Sequence, residues 1–309
     1  MSNYSHGRLR IDKENTSWTK IFGYVPRGST VLDIGCSTGE LGEALKNEKD
    51  CKVYGIELDK EDLLEARKAL TRVYNFNIEN ENIPTELAEI KFDVIIMADV
   101  IEHLAKPIES LYKIRQLLKR NGRLVFSIPN MSHISVRLQL LGGHFTYNET
   151  GLLDKTHLHF YDFDEVKRVI GGAGYQIVEN DANILNYTPS FLKKKLVDLG
   201  LKDNGFVNRA MADIAAQSFQ FVGYAQLLEG KDKPSNVTLS SKTPEKELVE
   251  YIENLAADNK VLSLAIKKNN KDLESLRAEL ERINSEYLFL HKHPLKILLR
   301  KFVKNQEPR

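Results

Sequence analysis

Residues 31–39 read VLDIGCSTG, and the chain continues into a helix-like stretch that begins at Glu40. An apolar strand here ends in an acidic residue and passes through a turn that contains Gly35 and Gly39. A dinucleotide-binding turn instead has the spacing G-x-G-x-x-G and places a pyrophosphate at a helix N-terminus. Because Asp33 at the strand tip would repel a pyrophosphate, the stretch favours a ligand that carries an ammonium group.

Short apolar runs alternate with amphipathic stretches up to about residue 230. The runs are STVLDIG, CKVYGIEL, FDVIIMADV and GRLVFSIPN, with stretches such as KEDLLEARKALTRV between them. Near-continuous Val/Ile/Leu runs are typical of parallel strands with helices on both faces, and this alternation predicts βαβ units. We therefore expect an α/β domain over residues 1–230, with a third strand at 73–77 and final strands at 174–179 and 217–224.

A second acidic residue, Glu57, ends the strand VYGIEL and lies 18 residues after Gly39. A carboxylate at this point of a βαβ unit can accept hydrogen bonds from both hydroxyls of a ribose. Asp59 is better suited to capping the helix that follows. We therefore assign Glu57 and its neighbour Leu58 to the ligand.

Taken together, these motifs resemble those of the class I S-adenosylmethionine (SAM)-dependent methyltransferases. The stretch at 31–39 is similar to motif I of that family, with Ser37 in place of the middle glycine. Residues 92–104, FDVIIMADVIEHL, and residues 151–161, GLLDKTHLHFY, resemble segments of one subgroup. That subgroup often accompanies bacterial glycan and surface-polysaccharide assembly. The resemblance covers residues 17–228.

The resemblance implies a Rossmann-like sheet of seven strands in the order 3-2-1-4-5-7-6, with SAM as the cofactor. Asp33 would meet the ammonium group of SAM, Glu57 its ribose and Asn77 the amino group of its adenine. The cofactor-binding residues that we predict are Asp33, Gly35, Ser37, Gly39, Glu57, Leu58, Asn77 and Asp99.

An oxygen acceptor must lose a proton during methyl transfer, and a histidine is suited to remove it near neutral pH. Our first choice for this general base is His157, in the GLLDKTH segment, and our second is His133, which follows the fifth strand. Asp99 at the tip of the fourth strand is the third catalytic candidate. For each histidine, a structural hydrogen bond is the alternative.

Four acidic and histidine side chains near the end of the fourth strand and in the GLLDKTH segment could in principle hold a divalent metal. Carboxylates and imidazoles are ligands for Mg, Mn or Zn. The arrangement is similar to an E-x-x-E-H motif that binds a metal in small-RNA terminal 2′-O-methyltransferases. The E-H-L turn, however, is common in methyltransferases without a metal. We therefore predict no metal site, and the candidates for one are Asp99, Glu102, His103 and His157.

The composition changes near residue 230. Residues 231–244 are polar, contain two prolines and predict a linker. Over 245–290, apolar residues recur at spacings of four and three, with Asn259 at an a position. This pattern predicts an all-α extension, a parallel coiled coil that makes a homodimer, and the alternative is a single helix on the globular domain. Residues 291–309 predict a basic amphipathic tail that lies on an anionic membrane, or else stays solvated or meets a partner protein.

Charge and composition limit the possible partners and compartment. The chain has 44 basic and 43 acidic residues, a net charge of +1, which argues against nucleic-acid binding. Two cysteines indicate a reducing compartment, and no apolar run suggests a signal peptide or a bilayer span. We expect a cytoplasmic protein that is at most peripheral on the inner membrane face.

The function that we predict is SAM-dependent O-methylation of a sugar hydroxyl on a glycan or a glycan precursor, in polysaccharide biosynthesis. One alternative is a small-molecule or RNA-end 2′-O-methyltransferase. An alternative of another class is a non-catalytic coiled-coil scaffold with a vestigial SAM fold. The intact acidic and glycine positions, Asp33, Gly35, Gly39 and Glu57, argue against the scaffold.

Overall fold

The structure is a computed structural model that describes residues 16–228 and 238–240. The predicted coiled coil at 245–290 and the basic tail at 291–309 lie outside the described residues, as does all but a short part of the linker at 231–244. The dimer and the membrane contact therefore stay predictions. Within the described part of the chain, no helix combines the length and apolarity that a bilayer crossing requires.

Seven strands form a single mixed sheet. They are β1 (Thr30–Ile34), β2 (Lys52–Ile56), β3 (Arg72–Tyr74), β4 (Phe92–Ala98), β5 (Leu118–Pro129), β6 (Tyr175–Ile184) and β7 (Ser218–Leu227). Their order in the sheet is β3-β2-β1-β4-β5-β7-β6. The first five run parallel, and β7 is antiparallel to both β5 and β6. This confirms the seven-stranded α/β sheet and the strand order that the resemblance implies.

Helices cover the sheet on both faces, and further helices pack with one another in a separate apolar cluster. They are α1 (Ser17–Tyr24), α2 (Glu40–Lys49), α3 (Lys60–Ala69), α4 (Thr85–Ala88), α5 (Pro107–Ile114), α6 (Ile134–Leu141), α7 (Phe163–Gly172), α8 (Pro189–Asp198), α9 (Phe206–Ala212) and α10 (Ile214–Gln217). Successive residues of a strand point to opposite faces. Accordingly Leu32 and Ile34 of β1 belong to one core cluster with α5 and α7, whereas Val31 belongs to another with α1, α2 and α3.

The register of the central strands brings their carboxyl ends together. Ile34 at the end of β1 pairs with Ile56 of β2 on one side and with Met97 of β4 on the other. The residues that follow these three strand ends therefore share one edge of the sheet, where ligands of open α/β sheets bind.

Three predicted strands have different bounds in the structure. The third strand ends at Tyr74 rather than at residue 77, because the Asn75 side chain donates hydrogen bonds to the carbonyl oxygens of Glu57 and Leu58 instead of continuing the strand pairing. The two final strands, β6 and β7, run longer than predicted. The two strands pair with each other along the whole of β6, from Tyr175 to Ile184. The sequence of one strand does not show how far its partner extends.

Candidate active site

A cavity of about 500 Å³ opens at the carboxyl edge of the sheet, a volume within the usual range for small-ligand sites. Gly39 begins α2 and is not part of the cavity wall. The other seven predicted cofactor residues line the cavity, and they are Asp33, Gly35, Ser37, Glu57, Leu58, Asn77 and Asp99.

Asp33 is a buried acid of the cavity, with 3% of its surface exposed. Burial, and then the nearby carboxylate of Glu57, raise the pKa of Asp33 to about 7. A cationic group beside Asp33 would offset both effects, since an opposite charge favours the ionised form. The site is therefore suited to the ammonium group that the sequence predicted.

The turn after β1 has left-handed backbone at three residues, Gly35, Ser37 and Gly39. Gly35 has φ +73°, and a Cβ atom there would lie 2.7 Å from a methyl carbon of Val100. Ser37 has φ +47°, so it adopts the conformation for which the family's glycine is suited. Its hydroxyl donates a 2.9 Å hydrogen bond to the buried Asp62, which shows that the protein itself uses this group.

Cys36 in the same turn fills space beside β2. A Cβ atom on Gly55 would lie only 2.5 Å from the Cys36 sulfur. The sulfur therefore occupies the space that a side chain at position 55 would need. Burial, and then the carboxylates of Asp33 and Glu57, raise the pKa of the Cys36 thiol far above its ordinary value. The thiol is therefore neutral and packed against the sheet.

Glu57 is held by three backbone amides. One oxygen accepts from the N–H groups of Leu58 at 2.7 Å and Asp59 at 2.8 Å, and the other accepts from Ser37 N–H at 2.8 Å. A carboxylate has about four acceptor sites. The predicted pair of ribose hydrogen bonds therefore requires one of these amides to be released.

Asn77 lines the cavity between two buried apolar residues, Phe76 and Ile78. Its side-chain oxygen accepts a 2.8 Å hydrogen bond from the N–H of Glu79, and this bond fixes the loop after β3. A carbonyl oxygen has a second lone pair, so the predicted contact with an adenine amino group is compatible with this bond.

Asp99 is turned away from the predicted metal group. It has φ +53°, and its Oδ1 accepts hydrogen bonds from the Ser127 hydroxyl at 3.0 Å and from Gln220 at 2.8 Å. The two acids, Asp99 and Glu102, therefore do not share one helical face as the sequence suggested, because the chain turns sharply at Asp99 before a short 3-10 helix, Ile101–His103.

His133, our second choice for the general base, forms hydrogen bonds within the protein. The residue is fully buried, its Nδ1 lies 2.8 Å from the Ser135 hydroxyl and its Nε2 lies 2.9 Å from the carbonyl oxygen of Leu185. It caps the N-terminus of α6, and burial lowers its pKa. Because both ring nitrogens are bonded to the protein, these contacts favour the structural alternative for His133.

His157, our first choice for the base, lies behind the cavity wall. Its side chain is 6% exposed, its Nδ1 lies 3.2 Å from the carbonyl oxygen of Leu152, and its ring contacts the ring of His103 at 4.9 Å between centroids. Burial, and then His103, lower the pKa of His157. The cavity is lined instead by His103 and Thr156.

Glu102 is fully buried beneath this wall. Within the part of the chain that the structure describes, neither of its carboxylate oxygens has a hydrogen-bond partner. Burial, and then Asp99, raise its pKa well above the usual value. Donor atoms of Glu102, His103 and His157 lie within 4.8 Å of one another, which makes this group, without Asp99, able to hold a metal ion.

A family model described as "Methyltransferase domain" matches residues 10–180. The chain belongs to this methyltransferase family. SAM is the cofactor, and the methyltransferase fold and the acidic cavity at its carboxyl edge are consistent with that assignment.

Similar proteins include two enzymes of one name. The methyltransferase is 27% identical over 157 residues to "Ubiquinone biosynthesis O-methyltransferase, mitochondrial" of Dictyostelium discoideum, covering 47% of this chain and 48% of that protein. It is 32% identical over 144 residues to "Ubiquinone biosynthesis O-methyltransferase" of Actinobacillus pleuropneumoniae, covering 44% and 59%. The chain thus spans about half the length of these curated relatives.

A solved structure with a similar fold is a SAM-dependent methyltransferase from Aquifex aeolicus. It is 18% identical to this methyltransferase and has a TM-score of 0.45, with 72% of this chain and 95% of that chain covered.

Trp18 and His103 are among the residues on the cavity wall of the methyltransferase that were not assigned there from sequence. Trp18 of α1 lines the cavity, and nothing in its local sequence indicates that α1 packs near the tips of β1 and β4. His103 was assigned only to the metal alternative. Its place in the E-H-L turn directly after β4 could have identified it as a histidine of the cavity wall.

Proposed function

We propose that this methyltransferase transfers the methyl group of SAM to a hydroxyl oxygen of an acceptor. The observation that carries the proposal is the buried Asp33, whose carboxylate faces the cavity at the end of β1 and needs a cationic partner to ionise fully at neutral pH. Similarity to relatives named O-methyltransferases supports oxygen as the methylated atom.

The residues of the cavity fit SAM in chemical type. Asp33 offers a carboxylate to the ammonium group, and Glu57 offers hydrogen-bond acceptors to the ribose. Phe76 and Ile78 provide an apolar wall for the adenine ring, and Asn77 between them provides a polar group at its edge. Six acidic side chains line this small cavity, and this excess of negative charge favours a cation over a phosphate; they are those of Asp33, Glu57, Asp59, Asp62, Glu79 and Asp99.

When bound, SAM supplies a methyl group on a positively charged sulfur, and the carbon–sulfur bond breaks with its electron pair remaining on sulfur as the new oxygen–carbon bond forms. The chain's part is to hold the two reactants in line and to exclude water. We assign His103 and Thr156, on the wall formed by the E-H-L turn and the 151–161 segment, to orienting the acceptor.

The acceptor that we propose is a sugar hydroxyl of a glycan or its precursor. Phe145, Tyr147 and Phe160 are exposed, and their ring centroids lie 5.4 to 6.4 Å apart. Phe160 also lines an open cleft of about 650 Å³ with polar side chains such as Ser132. Flat aromatic surfaces beside polar groups suit sugar rings. Thr156 lines the cavity, Phe160 lines the cleft, and both residues belong to the 151–161 segment.

The names of the relatives favour a second candidate acceptor, a hydroxylated intermediate of ubiquinone biosynthesis. Incubation of the full chain with radiolabelled SAM and a panel of both acceptor classes separates the two. Label in a sugar supports the glycan acceptor, and label in a ubiquinone intermediate replaces it with the second candidate. Failure to bind SAM in calorimetry would overturn the proposal as a whole.

Asp33→Asn provides the sharpest test of the cofactor site, since it keeps the volume of the side chain and removes its charge. A hydrogen bond to a charged group contributes about 1.5–3 kcal/mol, so SAM affinity should fall roughly ten- to a hundredfold. Asp50→Asn is the matched control, because Asp50 is exposed and follows α2 outside the cavity. Equal SAM affinity in Asp33→Asn and Asp50→Asn would contradict the assigned role.

A further inference from the structure

We propose that Glu102, His103 and His157 bind one divalent transition-metal ion at the wall of the cavity. The Nε2 atom of His157 lies 4.0 Å from Oε1 of Glu102, and one donor atom from each of the three residues lies within 4.8 Å of the others. Two donors that are each about 2.1 Å from one ion lie at most about 4.2 Å apart. Small rotations of these side chains would complete the site.

The buried carboxylate of Glu102 is an independent indication of a cation. A fully buried carboxylate is costly unless it is paired, and nearly all buried polar groups have a partner. Among the residues that the structure describes, both oxygens of Glu102 lack a hydrogen-bond partner. A cation coordinated there would satisfy them.

Both histidines are oriented as metal ligands are. The Nδ1 atom of His157 lies 3.2 Å from the carbonyl oxygen of Leu152, and Nδ1 of His103 lies 3.2 Å from that of Thr156. A carbonyl oxygen only accepts hydrogen bonds, so Nδ1 carries the proton in each ring and Nε2 keeps its lone pair. Histidine ligands usually donate their second N–H to such a carbonyl, which fixes the ring.

Backbone hydrogen bonds hold the two chain segments of the site together. The carbonyl oxygen of Glu102 accepts from the N–H groups of Leu158 at 2.9 Å and His159 at 3.1 Å. The buried Asp154 accepts from both the N–H and the hydroxyl of Thr156 at 2.8 and 2.6 Å, which shapes the turn before His157. Backbone hydrogen bonds and the buried Asp154 thus fix the positions of the three proposed ligands.

The donor set indicates the kind of ion and its role. Two imidazoles and one carboxylate favour Zn²⁺, Mn²⁺ or Fe²⁺ over Mg²⁺ or Ca²⁺. Three protein ligands leave a coordination position open, and His103 lines the cavity, so the open position would face the acceptor.

This role rests on the proposed O-methyl transfer. The ion would bind the acceptor hydroxyl and lower its pKa; the proton passes to solvent, the oxygen bonds the methyl carbon, and the carbon–sulfur electron pair stays on sulfur. The inference revises our expectation that no metal is bound, and it leaves Asp99 out of the ligand set.

The test measures metal binding in the absence of SAM and acceptor. Full-length, untagged protein is stripped with EDTA and titrated with Co²⁺, read by its visible absorption, and with Zn²⁺ and Mn²⁺ by calorimetry. We expect one ion per chain at this site, with affinity at least tenfold lower in both Glu102→Gln and His103→Asn. His159→Gln is the matched control, because His159 is two residues from His157 but outside the group, and it should bind as the wild type does.

Two further measurements make the outcome decisive. SAM affinity reports whether each variant is folded, and His103→Asn carries the test if the buried Glu102→Gln is not. His291→Ala/His293→Ala removes the two histidines near the C-terminus of the sequence and should leave the Co²⁺ spectrum unchanged. Absence of binding at 1 mM ion in protein that binds SAM, or binding lost only in the His291/His293 variant, would overturn the metal site and leave the proposed function intact.

Discussion

The two walls of the cavity are built in different ways. The cofactor wall, residues 33–37 and 57–59, satisfies the carboxylate of Glu57 locally, since Ser37 and Leu58 donate backbone N–H groups to it. The acceptor wall, residues 101–103 and 154–159, joins two segments far apart in sequence. It leaves the carboxylate of Glu102 fully buried and, among the described residues, without a hydrogen bond.

This difference separates groups that hold the fold from groups that await a ligand. Most buried polar groups in proteins are hydrogen-bonded, and local rules are broken mainly at functional sites. On the cofactor wall, most polar groups form hydrogen bonds that shape the turn, and burial raises the pKa of Asp33 to about 7. On the acceptor wall the unsatisfied carboxylate is the feature that requires a partner.

The largest expected effect is on the free energy of unfolding, when the acid that shapes a turn of each wall is replaced. These acids are Asp154 on the acceptor wall and Asp59 on the cofactor wall. Asp154→Ala removes a buried carboxylate that accepts from the N–H and the hydroxyl of Thr156, and each lost hydrogen bond to a charged group costs about 1.5–3 kcal/mol. Asp59→Ala removes an exposed cap that accepts from two N–H groups of α3, which costs about 1 kcal/mol. Urea unfolding should show Asp154→Ala as the more destabilised by about 2 kcal/mol, and equal losses would break the contrast between the walls.

A smaller effect is expected from pH on the cofactor wall. The pKa of Asp33 is raised to about 7 from 3.8, so the native state holds this proton more tightly than the unfolded chain does. Without ligand, the titration of Asp33 therefore lowers the free energy of unfolding as the pH rises from 3.8 to about 7. SAM binding requires the ionised form, so affinity should fall about fivefold from pH 7 to pH 6 as the ionised fraction drops.

Calorimetry at several pH values checks this dependence, with Asp33→Asn as the reference. The variant should bind SAM weakly at every pH and should lose both the affinity trend and the stability trend. A slope that persists in Asp33→Asn would show that another group controls the titration.

The smallest effect is expected at Ser37. Ser37→Gly relieves a left-handed backbone that costs about 1–2 kcal/mol, and it loses a hydrogen bond to Asp62 of similar size. The net change in unfolding free energy should stay within about 1 kcal/mol. Ser37→Ala keeps the strain and loses the bond, so it should be the less stable variant. If Ser37→Ala is as stable as Ser37→Gly, the hydroxyl bond and not the backbone determines stability at this turn.

Much of the fold could be predicted because its signals are local. The apolar runs and the glycines at 35 and 39 identify β1, β2, β4 and β5, and the resemblance supplied their order, which the structure confirms. The bounds of β6 and β7 were less accurate, since each extends along the other, and their pairing is set by tertiary contact.

The acceptor wall was harder to predict for a physical reason. The sequence shows which residues can act as bases, but burial and hydrogen-bond partners decide between them. His133 is bonded through both ring nitrogens to groups that include a carbonyl 52 residues away, and His157 is buried behind His103. The prediction of a homodimeric coiled coil concerns residues outside the described part of the chain and stays a prediction.

The thiol of Cys36 has a practical consequence for studying the turn between Gly35 and Gly39. It is 7% exposed, lies at the cavity and is held in its unreactive neutral form, so alkylating reagents reach it only when the turn opens. The rate of alkylation of Cys36 therefore measures how often this turn of the cofactor site opens. A ligand that holds the turn closed would lower the alkylation rate in proportion to its occupancy. Ligand binding could thus be followed at a native residue, without an introduced label.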